Sequence, residues 1–364
     1  MKILYIDPQS YNNLADYDKC LLENINAEKL YVCSINMPYK IISNAKIIKI
    51  YDYQSKKGIF KILSYITSQR HLLRIIKKEK LSVIHFQWFK IPQLDLEILK
   101  RIKKIMPQVK IVHTAHNVLP HDSGSKYKKI YRKIYNFVDK IIVHVEITKT
   151  EICNEFNCEE GKIDVIPHGY LPSKFKLENT NDSFFTFSFI GFLSDYKGLD
   201  ILLDVWCNTP AILNNEKCRL VIAGAGNLPC LNTIPNDKNI VLENYFHTDE
   251  ELAKIVAETD VAVLPYRKIS QSGVLLTFIA EHIPVIVSDI GGLTQPFEQG
   301  KIGWILEELL PDALKKVLLN VIENPDMVNS IKHDKLLWSK IDDFYDWKNI
   351  GEKTAHLYEE LDLN

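Results

Sequence analysis

Residues Asp260–Gly292 read DVAVLPYRKISQSGVLLTFIAEHIPVIVSDIGG: a strand, a loop, a helix, a second strand and a Gly-Gly turn. Val261–Leu264 and Pro284–Val287 are short β-branched runs of the kind found in parallel strands buried on both faces. Between them Ser272-Gly273 opens an apolar helix over Val274–Ala280. A Ser-Gly helix start leaves backbone N–H groups unpaired and lets an anion come close. The second strand runs into Ser288-Asp289 and Gly291-Gly292, a turn that also permits close backbone approach. Open parallel sheets bind ligands beyond the carboxyl ends of their strands, which is where both loops fall.

The same alternation extends on either side. Upstream come a strand over Phe184–Ile190 ending at Gly191, a helix over Leu199–Trp206 and a strand over Arg219–Ile222 ending in Ala223-Gly224-Ala225-Gly226. A short strand at Val241 and a helix over Glu250–Ala257 follow. Downstream, helices are expected over Asp312–Glu323 and Trp347–Leu361. The first half repeats the pattern, with strands at Ile3–Ile6, Leu30–Cys33, Val83–Phe86, Lys110–Thr114, Lys140–Val143 and Asp164–Ile166. Its helices are expected at Leu14–Asn24, Phe60–Lys78, Leu94–Ile105, Lys126–Phe137 and Lys149–Phe156. Strands alternating with helices imply an α/β fold whose parallel sheets are covered on both faces. Pro167–Pro172 and the polar run LENTNDS at 177–183 mark the linker.

At 364 residues the chain suits two domains. No apolar run approaches the roughly 18 residues a membrane-spanning helix needs. The opening MKILYIDPQS lacks the basic and apolar regions of an export signal. Seven cysteines are scattered without a Cys-x-x-Cys pair, which predicts reduced thiols in a cytoplasm and no metal site. The net charge of −1 conceals a split. Residues 1–170 carry 28 Lys and Arg against 17 Asp and Glu, and the remainder 17 against 29. A basic first half predicts an anionic partner there.

Several motifs carry chemistry. Phe189–Gly198 (FIGFLSDYKG) is a strand, a glycine turn and then Lys197 before a helix. A cation is mildly unfavourable at a helix start, but lysine suits phosphate as a mobile point charge. Gly224 and Gly226 match only part of a dinucleotide fingerprint. His113-Thr114-Ala115-His116-Asn117 ends a buried strand. Alternation sends His113 and Ala115 to one side and Thr114 and His116 to the other, leaving His116 at the carboxyl edge, with His121 shortly after. Asp16-Tyr17-Asp18 has the form of a metal-holding pair but falls at a helix N-terminus, where carboxylates belong for dipole reasons alone. Lys126–Tyr135 (KYKKIYRKIY) gathers Tyr127, Ile130, Tyr131 and Ile134 on one face with lysines elsewhere. That describes a helix lying on an anionic membrane or one packed on the sheet.

With these segments in hand, the chain resembles the GT-B glycosyltransferases of the family-4 type, also called group 1. The resemblance rests on 189–206, LVIAGAG at 220–226, 272–292, DWKNIGEKTAHLYEEL at 346–361, and, in the first half, HTAHN and VIPHG. It implies two Rossmann-like domains facing each other across a cleft: an acceptor-side domain over 1–172 and a nucleotide-sugar domain over 173–345. Residues 346–364 would form a closing helix that crosses back to the first domain. The implied activity is transfer of a hexose from a nucleoside-diphosphate sugar to a glycan or lipid-linked glycan, as in surface polysaccharide assembly. It would proceed with retention, without metal or other cofactor, in the cytoplasm and at the inner face of the cytoplasmic membrane. No nucleic-acid partner is expected.

The implied donor residues are Gly191, Lys197, Gly224, Gln271, Ser272, Gly273, Val274 and Thr277, with His116 and Asn117 on the acceptor side. Lys197 matches the family's diphosphate lysine, and Ser272–Val274 match the helix N-terminus beneath the diphosphate. His116 matches a histidine near the transferred sugar. The chain departs from the family pattern where an arginine usually follows the first glycine turn, since Phe192 stands there. Ile269 and Thr277 replace a pair of glutamates, and Gln295 replaces another. Arg267, on the loop before Ser272, is expected to supply the missing cation, because a guanidinium grips two phosphate oxygens at once. Other readings are a sugar-nucleotide epimerase of the same fold, which needs carboxylates at strand ends, a two-lobed solute-binding protein, which needs an export signal, and a nicotinamide dehydrogenase, which needs a complete glycine fingerprint.

Overall fold

The computed structural model describes residues 1–120, 125–171, 184–236 and 238–363. His121 and the linker reading at 177–183 lie outside the described residues. The chain divides into two units, Met1–Leu171 with Tyr345–Asn364, and Pro172–Phe344.

The first unit runs β1 (Lys2–Asp7), α1 (Asn13–Asn24), β2 (Glu28–Ser34), β3 (Ala45–Tyr51), α2 (Gly58–Lys78), β4 (Val83–Phe86), α3 (Pro92–Ile105), β5 (Lys110–Thr114), α4 (Lys128–Phe137), β6 (Lys140–Val143), α5 (Glu146–Phe156) and β7 (Ile163–Val165). Its seven strands pair in parallel in the order β3-β2-β1-β4-β5-β6-β7. The second unit runs β8 (Phe185–Ile190), α6 (Leu199–Cys207), α7 (Pro210–Leu213), β9 (Cys218–Ala223), β10 (Ile240–Glu243), α8 (Asp249–Ala257), β11 (Val261–Leu264), α9 (Gly273–Ala280), β12 (Val285–Ser288), β13 (Gly303–Leu306), α10 (Pro311–Glu323), α11 (Pro325–Lys332) and α12 (Lys335–Tyr345). Its six strands are parallel in the order β10-β9-β8-β11-β12-β13. In both sheets the order reverses beside the first strand, between β1 and β4 and between β8 and β11, and such switch points are where open parallel sheets bind ligands.

The closing helix α13 (Trp347–Leu363) belongs to the first unit. Its Ile350, Leu357, Tyr358 and Leu361 are buried with Tyr17, Leu21, Leu22 and Ile25 of α1 and the loop after it. Gly351 makes the approach possible, since a Cβ there would lie 2.3 Å from the Asn24 carbonyl. Trp347 Nε1 donates to the Tyr170 carbonyl at 2.6 Å. Each fully buried large side chain contributes roughly 1.5–3 kcal/mol, so the helix is an integral part of the unit's core.

Three sequence expectations change. Two strands, β3 and β13, escaped the reading. The lysines of β3 (AKIIKIY) leave it largely half-buried or exposed, and β13 is four residues long and begins at a glycine with φ +158°. The Tyr and Ile face of Lys126–Tyr135 is not free for a membrane. Tyr131, Ile134 and Tyr135 are buried and Tyr127 and Ile130 pack on the same core, so the helix is held by the sheet. Finally, Asp16 and Asp18 do more than complement a helix dipole. Asp18 is buried and accepts bonds from Tyr5 Oη at 2.8 Å and Tyr31 Oη at 2.5 Å, and Asp16 accepts from Tyr39 Oη. Burial, and then the charge of Asp18, raises the pKa of Asp7 well above the usual carboxylate range.

Candidate functional site

In the second unit, the switch point between β8 and β11 is built on bare backbone. Gly191 ends β8 at φ +100° and Gly224 ends β9 at φ +147°. A Cβ at Gly224 would lie 2.1 Å from the Gly191 carbonyl oxygen. The loop after β11 is pinned from two sides, because a Cβ at Gly198 would meet the Pro265 carbonyl at 1.9 Å and one at Gly291 the Ile269 carbonyl at 1.8 Å. Gly292 N donates to the Ser270 carbonyl at 2.8 Å. The loop therefore delivers Ser272 as a fixed N-cap, its Oγ accepting from Leu275 N at 3.2 Å. The Gly273 and Val274 amides make no hydrogen bond among the described residues, as expected of the first turn of a helix.

Lys197 enters the same corner. It ends a short 3-10 turn, Asp195–Lys197, and is 6% exposed. A Cβ at Gly191 would lie 2.7 Å from Lys197 Nζ and 3.2 Å from Val274 Cγ2, so the ammonium, the glycine turn and the start of α9 meet. The ammonium sits 5.5 Å from the Tyr266 ring centroid, a cation–π distance. No hydrogen-bond or ion-pair partner to Nζ is present among the described residues, and burial pushes its pKa down to about 8. A buried ammonium with no counter-ion, beside two unpaired helix amides, is arranged to receive an anion.

Arg267 is placed otherwise than expected. Its guanidinium forms a two-pronged pair with Asp200, at 2.7 and 2.6 Å, and donates to the Asp195 carbonyl at 2.6 Å. Asp200 raises the Arg267 pKa and is itself held below the usual carboxylate range by that bond. The planar fork that would grip a phosphate is occupied, so Arg267 braces the loop that carries Lys197. Phe192 is 59% exposed and supplies no charge. Thr277 lies one turn beyond Gly273, exposed, its Oγ donating to the Gly273 carbonyl at 3.0 Å. Gln271 is half-buried immediately before the cap.

In the first unit, the ends of β4, β5 and β6 assemble a ring cluster. Thr114 and His116 lie on one side of β5 and His113 on the other, as alternation predicts. His113 Nδ1 donates to the Phe86 carbonyl at 3.0 Å, against Phe89. His116 lies 2.8 Å by Nε2 from the Gln87 amide and 3.1 Å by Nδ1 from His144 Nε2, while His144 Nδ1 donates to the Ile166 carbonyl at 2.9 Å. Proton balance fixes the rest. With His144 Nδ1 donating, its Nε2 accepts from His116 Nδ1–H. A neutral His116 then presents a bare Nε2, so Gln87 must offer its NH₂ there and turn its oxygen to His85 Nε2, 3.1 Å from the other amide atom. Tyr358 Oη, on α13, donates to His85 Nδ1 at 2.5 Å.

Trp88 stacks on His116 at 4.7 Å with the planes 8° apart, and Tyr17 meets it edge-on at 5.0 Å. Burial, and then the neighbouring histidines, lowers the His116 pKa well below its usual value. Burial brings His144 down to about 3 and His168 to about 4. Asn117 is half-buried beside His116. The sequence reading missed Tyr17, Gln87, Trp88, His144 and His168. The signal for one of them, Gln87, was HFQW at 85–88, where His85 and Gln87 alternate onto the face of Thr114 and His116. Two strands end in acids, Glu243 in β10, 2.8 Å from His247 Nε2, and Asp7 in β1. Asp7 is wholly buried, however, and its side chain accepts from Gln9 N at 2.6 Å, so it is not presented to a substrate. Among the described residues no group of three or more His, Cys, Asp or Glu could hold a metal ion.

The sequence matches the family described as glycosyl transferases group 1 over residues 185–324 and glycosyltransferase family 4 over residues 49–173. An uncharacterized glycosyltransferase of Methanocaldococcus jannaschii is 26% identical over 281 residues, 70% of this chain and 69% of that protein. The GDP-mannose:glycolipid 4-beta-D-mannosyltransferase of Xanthomonas campestris pv. campestris is 26% identical over 183 residues, 48% of this chain and 49% of that one. Among solved structures, Anabaena HepE in complex with UDP and glucose is similar, with a TM-score of 0.72 at 14% identity over 99% of this chain and 100% of that one.

Proposed function

We propose that this chain, which belongs to the family-4 type of the group 1 glycosyltransferases and has the GT-B fold of two Rossmann-like domains, moves a hexose from a nucleoside-diphosphate sugar to a glycan or lipid-linked glycan during surface polysaccharide assembly. The observation that carries this reading is Lys197, a buried ammonium without a counter-ion among the described residues, at the glycine turns and the start of α9. A diphosphate satisfies it. As the sugar bond breaks, charge grows on that diphosphate, and a fixed cation and two amides stabilise it more in the transition state than before. The donor side is completed by Gly191, Gly224, Gln271, Ser272 and Thr277. His116 and Asn117 serve the sugar or acceptor, with a hydroxyl taking the place of Gln87 at His116 Nε2. The chemistry asks for no metal, and the resemblance supports retention of configuration. The named activities of the relatives, a GDP-mannose:glycolipid mannosyltransferase and a UDP-binding protein, support a nucleotide-sugar donor and a lipid-linked acceptor. No helix of the described residues is long and apolar enough to cross a membrane. In this reading such an acceptor is met at the inner face of the cytoplasmic membrane.

Calorimetry with UDP, GDP and ADP, each in excess EDTA and again with magnesium, tests the reading. At least one nucleoside diphosphate should bind in EDTA and raise the melting temperature, since a ligand at a hundred times its Kd adds about 2.7 kcal/mol. Failure of all three under both conditions removes the donor site. Binding only with magnesium removes the metal-free part.

A further inference from the structure

Helix α2 begins before its core does. Its buried side chains are Tyr65, Ser68, Gln69, Leu72 and Ile76. The turn ahead of them is turned out to solvent, with Ile59 66% exposed, Phe60 69%, Ile62 50% and Leu63 52%. Four large apolar side chains in five residues, none packed, form a patch that a water-soluble surface does not need. The surrounding charge is mostly positive, with Asp52 paired to Lys56 at 3.4 Å. Residues 53–78 contain seven Lys and Arg and no Asp or Glu. Lys56, Lys57 and Lys61 are exposed within and beside the patch itself, and Lys61 leans over the Tyr53 ring at 5.9 Å.

We infer that the first turn of α2, Ile59, Phe60, Ile62 and Leu63 with Lys56, Lys57 and Lys61, is the surface by which the protein docks on an anionic lipid membrane. Apolar side chains that enter the acyl boundary, flanked by lysines at the level of the headgroups, are the composition of an interfacial helix. The charge argues for lipid over a second copy of this chain, because an identical patch would bring its own lysines against these. The rigid C-terminal two-thirds of α2, packed on the sheet, holds the patch in place. The role of the docking, to bring the enzyme to a lipid-linked acceptor, rests on the proposed function. The docking itself is measured without donor or acceptor, so the two can fail separately.

The test is co-sedimentation of the full chain with vesicles of phosphatidylcholine alone and of equimolar phosphatidylcholine and phosphatidylglycerol, at rising salt. The protein should pellet with the anionic vesicles, weakly with the neutral ones, and less as salt rises. The substitutions Phe60→Ser with Leu63→Ser should lower the partition coefficient by on the order of 100-fold. Lys57→Glu with Lys61→Glu should lower it by at least about fivefold per residue. Lys129→Glu with Lys133→Glu, on exposed positions of α4, should leave it close to the wild type. All of these positions are exposed, and an unchanged melting temperature confirms that the variants fold. Wild-type protein that stays in the supernatant overturns the inference. So does a patch variant that pellets like wild type, an α4 variant that alone abolishes binding, or a patch whose mutation splits a dimer on a sizing column while vesicle binding is unaffected.

Discussion

At the scale of single residues, Lys197 shows a conflict between stability and function. Its pKa falls from 10.5 to about 8 because burial penalises the charged form. A lysine whose folded pKa is depressed contributes stability only above its unfolded value, and that stability is lost as pH falls from about 10.5 through about 8. At neutral pH the ammonium therefore costs the free protein roughly 3 kcal/mol, at 1.36 kcal/mol per pKa unit. Lys197→Met, of similar length, is expected to raise the melting temperature of the unliganded protein by several degrees at neutral pH. The difference should narrow above about pH 8 and close only as pH approaches about 10.5, and nucleoside-diphosphate binding and turnover should be lost, the latter by about 10²–10³-fold. Scanning calorimetry at two pH values reads the first effect and donor turnover the second. A variant less stable than wild type with normal turnover would mean the lysine is structural. Arg267 carries the opposite lesson. It has the charge for the task, but Asp200 holds its fork, and no spacing rule in the sequence announces an ion pair 67 positions apart.

Elements explain why the first-unit cluster stands where it does. β4, β5 and β6 run parallel in neighbouring positions, so the residues just past their carboxyl ends, Gln87 and Trp88, His116, and His144, meet at one edge. Both ring nitrogens of His116 are engaged there, and the residues proposed to hold the nucleotide all lie in the other unit. His116→Asn is accordingly expected to lower kcat by about 10²-fold while leaving nucleoside-diphosphate affinity within error of wild type, read by calorimetry beside steady-state kinetics. Should diphosphate affinity or folding disappear with the ring, His116 is a brace of the strand ends and not a partner of the sugar.

For the molecule as a whole, the first unit's buried titratable groups set its response to acid. His85, His113, His116, His144 and His168 all have pKa values lowered by burial, His113 and His168 to about 4. Depressed values mean the stability they confer is present above about 6.5 and is lost as pH falls through the folded values. Asp7, Asp18 and Asp95 have values raised by burial, Asp95 to about 7, so their contribution is present below about 4 and lost as pH rises. Between these limits five histidines oppose three carboxylates. The larger number of histidines predicts a stability that falls as pH drops from about 6.5 toward 4. His113→Phe, remote from the cluster around His116, should be less stable at neutral pH and lose less on acidification. Melting curves across that range check both, and a flat profile would show that the folded unit accepts these protons.

The sequence by itself determined the periodic elements. Alternating β-branched runs and amphipathic helices fixed two parallel sheets, and glycines followed by Lys197 and by Ser272-Gly273 marked the strand ends where an anion would sit, because these features are local and leave a pattern of fixed period. Edge strands with lysines, as in β3, and a four-residue strand opened by a glycine, as in β13, carry no such pattern. Only the tertiary structure decided which side chains are already engaged. It turned Asp18 inward to two tyrosines, closed Arg267 on Asp200, packed the tyrosines of α4 on the sheet, gathered His144 and Gln87 around His116, and left Ile59, Phe60, Ile62 and Leu63 in solvent. Periodicity gives a residue's face on its own element, but whether that face meets a partner, an anion or water depends on contacts between positions far apart in the chain.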